Sequence, residues 1–151
     1  MEKRRFSDFC ASHVMQPHQR DSIGKQAGVP PVVMNRLMVN APVREKDAMA
    51  VLVVLSEFWG YAIDIADIAI NIAPPEWGYY QHVYEFKSER EARENEQKLI
   101  VISILGSRVQ GCVLTFFTRD WLKEEERNAL YRVIFPLCFE LDLFVEGAYE
   151  G

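Results

Sequence analysis

Apolar residues recur at helical spacing from the start of the chain. Phe6, Phe9, Cys10, His13 and Val14 follow one another at intervals that place them on one face of a helix. The pattern predicts the first of several short helices.

Prolines and glycines divide the stretch that follows. Gln16-Pro17 should end the first helix, because proline disfavours helical geometry in the residue before it. A second helix is predicted from Asp21 or Ser22 to Gly28, since glycine is a natural C-terminal cap. A third is predicted over residues 30–40, because its two prolines, Pro30 and Pro31, suit the first turn of a helix.

A fourth helix is predicted over residues 46–58, and Gly60 should close it. Its predicted buried residues are Met49, Leu52, Val53 and Leu55. Residues 63–72 continue the apolar pattern, with Asp64 and Asp67 facing solvent.

Residues 73–78, APPEWG, are the predicted linker between two domains, because two prolines and a glycine interrupt regular structure. Aromatic residues and His82 alternate with other residues over 79–87, which predicts a strand. LIVISIL (99–105) and CVLTFF (112–117) predict a hairpin. Helical spacing returns from Lys123, with Leu130, Val133, Ile134 and Leu137 inside, and Pro136 should kink or end this helix.

These patterns predict an α+β protein. Residues 1–72 should form an all-helical domain, and residues 79–151 a small antiparallel sheet with a C-terminal helix.

Charge is distributed unevenly along the 151 residues, although the net charge of -5 by itself argues against nucleic-acid binding. Residues 1–46 carry eight Lys/Arg against four Asp/Glu, a net +4, and residues 47–151 carry nine against eighteen, a net -9. A basic N-terminal module joined to an acidic remainder is typical of a DNA-binding domain with an attached partner domain.

The sequence gives little support for a catalytic site or a metal site. Cys10 and His13, with His18 further on, have the types of a metal ligand, but no second pair follows to complete a zinc site. The chain lacks a phosphate-cradling glycine loop and a serine elbow, so we expect neither an enzyme nor a cofactor. Three cysteines in apolar surroundings favour free thiols in a reducing cytoplasm.

Residues 20–39 resemble the helix-turn-helix of the Cro/phage-repressor (Xre-like) family of DNA-binding regulators. The match rests on Ile23 and Gly24 in the second helix, the turn Ala27-Gly28-Val29, and Met34 and Leu37 on the buried face of the third. Further similarity to the fourth and fifth helices of the family extends the resemblance to about residues 6–70. Where family members often carry an acidic residue and then glycine, this chain has Met38 and Asn40.

The resemblance implies that residues 30–40 form a recognition helix in the major groove. Its predicted outward residues are Pro31, Val32, Val33, Asn35 and Arg36, with Asn40 near the end. Asparagine can pair with adenine and arginine with guanine, whereas the valines could pack on thymine methyl groups or belong to a protein contact or the core.

Phosphate contacts are predicted from the surrounding basic residues, which could equally be ordinary solvated side chains. They are Lys25, Arg20, Arg44 and Lys46, with Lys3, Arg4 and Arg5 as a basic arm.

The second domain is expected to pair two chains, because a small sheet with one helix and an apolar tail (Leu141, Leu143, Phe144, Val145) cannot cover all its apolar surface. The predicted protein is therefore a dimeric repressor that binds double-stranded DNA at a palindromic site. The alternative is a protein-interaction adaptor or antagonist that keeps the helical fold without binding DNA. An aromatic patch could also hold a small effector, with Trp77, Tyr79, Tyr80 and Tyr84 as its residues.

Overall fold

The computed structural model describes residues 3–13, 15–139 and 143–151, so the predictions for Val14 and Leu141 lie outside the described residues. The chain divides into two compact units, Met1–Glu76 and Trp77–Gly151. Their boundary falls inside the predicted linker 73–78, although both ends of that stretch belong to strands.

The N-terminal unit is built mainly from helices. They are α1 Phe6–Ser12, α2 Pro17–Ala27, α3 Pro31–Met38, α4 Glu45–Trp59 and a 3₁₀ helix at Ile65–Asp67. Its strands are β1 Arg4–Arg5, β2 Val43–Arg44, β3 Ile68–Ala69 and β4 Ile72–Ala73; β1 pairs with β3 and β2 with β4, both in parallel.

Local backbone chemistry sets the ends of α2 and α3. Pro17 occupies the first position of α2, and the backbone N–H of Gln16 donates to the Gln19 side chain at 2.8 Å. Gly28 ends α2 in the left-handed conformation (φ 72°), where glycine is free of the Cβ penalty. Pro30 is the N-cap of α3, so the turn between the two helices spans three residues.

The expectation of an all-helical unit was wrong, because the short strands β1 to β4 lie among its helices, and the largest departure is at residues 63–72. Asp64 caps a single 3₁₀ turn by accepting a hydrogen bond from the Ala66 backbone N–H at 3.0 Å. The isoleucines that follow at every second position, Ile68, Ile70 and Ile72, favour extended backbone because they are β-branched. Pairing of β3 with β1 and of β4 with β2 fixes this extended backbone, so two short strands stand where a fifth helix was predicted.

The core of this unit gathers the inner faces of α1 to α4. Helix α4 contributes Ala48, Val51, Leu52 and Leu55, which recur at i, i+3, i+4 and i+7. The prediction that Met49 and Val53 are buried was wrong, because they lie on the opposite face and are 49% and 58% exposed.

The C-terminal unit has the order β-α-β-β-α-β-β, with a short 3₁₀ helix after its first α-helix. Its elements are β5 Trp77–Glu85, α5 Glu89–Glu96, a 3₁₀ helix at Gln97–Val101, β6 Gly106–Gln110, β7 Val113–Thr118, α6 Glu124–Val133, β8 Cys138–Phe139 and β9 Leu143–Ala148. The sheet order is β6-β7-β5, with β8 and β9 both on the far side of β5, and each of these pairs is antiparallel. The protein is thus a mixed α/β chain with an antiparallel sheet, as predicted at that level.

Two elements of this unit differ from the prediction. Residues 99–105 do not form a strand: the 3₁₀ helix buries Leu99, and the strand is the predicted connector Gly106–Gln110, which turns at Gly111 into β7. The helix after Lys123 ends at Val133, and Leu137 is exposed in place of its predicted burial. Phe144 and Val145 lie in β9, which completes the sheet.

One face of the sheet carries the core of the unit. Tyr80, His82, Tyr84 and Phe86 alternate inward along and just beyond β5, as the sequence predicts. His82 is stacked on Phe116 with ring centres 4.6 Å apart, and its Nε2 lies 2.9 Å from Thr118 Oγ1. Among the described residues, no helix has the length and apolar character needed to cross a bilayer.

Candidate nucleic-acid interface

Helices α2 and α3 meet at a glycine. A Cβ atom added to Gly24 would lie 2.8 Å from Cγ of Met34, so the absence of a side chain at Gly24 allows this close approach. Met34 and Leu37 are both buried, as predicted, and they hold the inner face of α3 against the core with Ile23 of α2. The opposite face of α3 is left at the surface.

Val33 does not lie on that surface, and the prediction that it faces outward was wrong. It is 3% exposed and belongs to the core cluster. Val33 lies one residue before Met34 and four before Leu37, and at 100° per residue all three fall on one inward arc. Val33 therefore cannot meet a base edge without unpacking the helix.

The exposed face of α3 carries Pro31 and Asn35, flanked by the half-buried Val32 and Arg36. Sequence reasoning missed Val39, the C-cap of α3, which is 73% exposed. The signal was present, because Pro31, Asn35 and Val39 recur at intervals of four and must share a helical face.

Asn40 and Arg36 shape the loop that follows α3. Asn40 adopts the left-handed conformation (φ 58°), which asparagine tolerates better than most residues other than glycine. The Arg36 Nε donates to the backbone carbonyl of Pro42 at 2.7 Å, across the same loop. Asn40 thus allows a left-handed turn without a glycine, and Arg36 holds the loop against the helix.

Basic residues near α3 differ in how accessible they are. Lys25 and Lys46 are exposed and Arg20 is half-buried. The prediction of a phosphate contact from Arg44 was wrong, because its side chain is buried and lies 3.5 Å from the Asp47 carboxylate.

The three basic residues at the start of the chain, Lys3, Arg4 and Arg5, are exposed. Arg4 and Arg5 form β1 and pair with β3, which ties part of the predicted arm to the unit. Arg4 also donates to Ser12 Oγ at 3.3 Å and lies 5.4 Å from the centre of the Phe9 ring.

The charge of the whole N-terminal unit is lower than that of its first 46 residues. Met1–Glu76 holds eight Lys/Arg and nine Asp/Glu, a net charge of -1. Any anion attraction is therefore local to the exposed lysines and arginines, and it must act against a surface of mixed sign.

The structure does not bring the residues considered for a metal site together. Cys10 is buried in the core, and His13 is stacked on Trp59 with ring centres 4.0 Å apart. His13 Nε2 lies 2.7 Å from the Tyr61 hydroxyl, and His18 is exposed on α2. Within residues 3–13, 15–139 and 143–151, no three His, Cys, Asp or Glu side chains are grouped so that they could hold a metal ion.

Cys10 is expected to resist alkylation at pH 8 in the folded protein, while the exposed Cys138 reacts. Burial raises the pKa of the Cys10 thiol from 9.0 to about 11, against a smaller opposing effect of Arg20, and only the thiolate is nucleophilic. Mass spectrometry of the alkylated protein tests this expectation.

The same pKa shift predicts that the free energy of unfolding falls as the pH rises from 9 to 11, because the unfolded chain loses the Cys10 proton before the folded chain does. Urea unfolding across that pH range tests this, and Cys10→Ala should remove the contribution of this thiol.

The four aromatic residues of the predicted effector patch do not form one site. Tyr80 and Tyr84 are buried on the core face of the sheet, whereas Tyr79 alternates to the opposite face. Trp77 packs against Phe144, with ring centres 5.6 Å apart. An effector pocket built from these four rings is therefore excluded by the alternation of β5.

Comparison with known proteins identifies no relative of this chain. The chain matches no protein-family model, no curated protein and no solved structure.

Proposed function

We propose that the protein is a cytoplasmic, dimeric transcriptional regulator whose N-terminal unit binds double-stranded DNA through a helix-turn-helix formed by α2 and α3. The observation that carries this proposal is the close approach of the two helices at Gly24 and Met34, joined by a three-residue turn with left-handed Gly28. Such a junction leaves the outer face of the second helix available to the major groove.

The exposed chemistry of α3 gives the proposed base contacts. Asn35 can form a bidentate pair with adenine, and Arg36 can reach a guanine if its guanidinium extends beyond the Pro42 contact. Val32 and Val39 offer methyl groups that can pack on thymine, and Pro31 lies at the leading end of the helix. This surface fits a site in which A·T pairs carry much of the specificity.

Sequence-independent attraction would come from basic residues around this face. Lys25, Lys46 and Arg20 would supply phosphate contacts, together with the exposed Arg4 and Arg5. A small number of such contacts predicts a shallow dependence of affinity on salt.

Pairing of two chains completes the proposal. A single recognition helix reads few base pairs, whereas a two-fold pair reads a palindromic site with half-sites about one DNA turn apart. Repression by blocking polymerase requires only that such a pair occupy its site, so it is the simpler mechanism.

A protein-interaction adaptor is the second candidate, and the apolar character of the α3 surface favours it. Val39 is 73% exposed, Val32 two turns earlier is half-buried, and the unit as a whole has a net charge of -1. An apolar helix face surrounded by mixed charge is also suited to a protein groove.

Selection of bound sequences from a random pool of double-stranded DNA tests the proposal. We expect a two-fold symmetric motif, and Asn35→Ala should weaken binding to it by about 1–3 kcal/mol while relaxing specificity at one base pair of each half-site. Lys25→Ala should weaken binding to all sequences alike and reduce its salt dependence.

Asn128→Ala is the matched control for the asparagine, since Asn128 is exposed on α6 of the other unit. It should leave binding unchanged. Absence of any enriched sequence from the pool would contradict DNA reading and favour the adaptor.

A further inference from the structure

An apolar groove lies on the surface of the C-terminal unit, between the 3₁₀ helix Gln97–Val101 and the end of α6. It is open to solvent and has a volume of about 610 Å³. Its apolar lining is formed by Ile100, Val101, Val133 and Phe135. Glu94, Lys98 and Arg132 contribute charged side chains to the same groove.

The apolar residues of the groove are exposed although their neighbours in the chain are not. Ile100 is 89% exposed and Phe135 is 75% exposed, while Leu99 and Ile134 beside them are buried in the core. The core of this unit is therefore complete without Ile100 and Phe135. Large apolar side chains that cluster at a surface with no covering element commonly mark an interaction site.

The outer face of the sheet is a weaker candidate for such a site, because the chain covers it. Tyr79 and Phe117 lie on neighbouring strands with ring centres 5.8 Å apart. Tyr149 lies 5.4 Å from the ring centre of Tyr79 and 5.3 Å from that of Phe117. These three rings pack on one another, and each of them is only partly exposed.

We propose that a second copy of this chain covers the apolar groove, so that two C-terminal units pair about a two-fold axis through Ile100 and Phe135. The charges of the groove are self-complementary, which argues for an identical partner. Glu94 on α5 is acidic and also accepts a hydrogen bond from Arg90 Nε at 3.1 Å, whereas Lys98 and Arg132 are basic. A two-fold axis can therefore bring the exposed Glu94 carboxylate of one copy to a basic residue of the other. This inference rests on the dimer of the proposed function and names its interface.

Replacement of the apolar centre of the groove tests the interface. Light scattering at micromolar concentration should give a dimeric mass for the unchanged chain. Ile100→Glu should raise the dissociation constant of the dimer on the order of 100-fold, because it places a carboxylate in an apolar contact. The variant should keep its circular dichroism spectrum, since Ile100 is exposed in the single unit. Val53→Glu, at an exposed apolar position of α4, is the matched control and should leave the mass dimeric.

An exchange of charges tests the symmetry. Glu94→Lys gives a groove with only basic charges, and Lys98→Glu with Arg132→Glu gives one with only acidic charges. Each variant alone should be largely monomeric, whereas an equimolar mixture should form a heterodimer of dimeric mass. A monomeric mass for the unchanged chain would overturn both the dimer and this interface. A dimer that survives Ile100→Glu, or a mixture that stays monomeric, would overturn only the interface. Binding of Ile100→Glu to a half-site, measured separately, reports on DNA reading independently of both.

Discussion

Val33→Asp is expected to unfold the N-terminal unit, with a loss of at least about 4 kcal/mol of unfolding free energy. Val33 is 3% exposed and belongs to the same core cluster as Met34 and Leu37. An ionised carboxylate at this position would lose its hydration inside a cluster of apolar side chains. Urea unfolding followed by circular dichroism at 222 nm measures the loss.

Val32→Asp is the matched control, one residue earlier in the first turn of α3 and half-buried. An acidic residue near a helix N-terminus gains about 0.3–1 kcal/mol from the helix dipole, which offsets part of the lost apolar contact. This variant should therefore remain folded, yet lose DNA binding because its charge repels phosphate. Equal stability of the two aspartate variants would contradict the inward placement of Val33. Unchanged DNA affinity of Val32→Asp would remove this end of α3 from the proposed interface.

Most ends of the N-terminal helices could be predicted because they depend on local backbone chemistry. Gly28 and Gly60 both end helices in the left-handed conformation, and Pro31 occupies the first position of α3, as predicted. The predicted start of α2 at Asp21 or Ser22 was wrong, because Pro17, which was assigned to the end of the first helix, occupies the first position of α2. These constraints act within a few residues and are therefore visible in the sequence. Residues 63–72 escaped prediction because their extended backbone is fixed by pairing with β1 and β2, far away in the chain.

The faces of α3 and α4 were harder to predict than their ends. Five of the eight residues of α3 are apolar, not counting its proline. Periodicity alone therefore does not decide which residues at the two edges of its buried face are buried. Val33 was assigned outward and Val39 was overlooked, although their exposures are 3% and 73%. Which flank is buried depends on where neighbouring helices lie, and that information is tertiary.

The C-terminal unit shows the same limit in its strands. LIVISIL has the composition of a buried strand, yet the chain uses Leu99 in the core and leaves Ile100 at the surface. The polar segment GSRVQ becomes β6 because it pairs with β7 at the edge of the sheet, where solvent can reach its side chains. Strand formation here follows from an available partner more than from propensity.

Gly24→Leu is expected to destabilise the N-terminal unit by about 1–3 kcal/mol, even though leucine is the better helix former by up to ~1 kcal/mol. The loss has a steric cause, because even a Cβ at this position lies 2.8 Å from Met34 Cγ and Met34 is buried. Gln26→Leu, at an exposed position of the same helix, should change the stability by no more than about 0.5 kcal/mol. Urea unfolding of each variant provides the comparison.

The double variant Gly24→Leu, Met34→Ala separates the contact between the helices from the properties of α2 itself. Met34→Ala alone should cost about 2–5 kcal/mol because it leaves a cavity against Gly24. In the double variant the leucine can fill that cavity, and a nearly volume-conserving exchange should cost less than about 1.5 kcal/mol. The two costs would then be strongly non-additive, as expected only for residues in direct contact. Additive costs would mean that Gly24 does not set the approach of α2 to α3, and the observation that carries the proposed DNA-binding function would lose its basis.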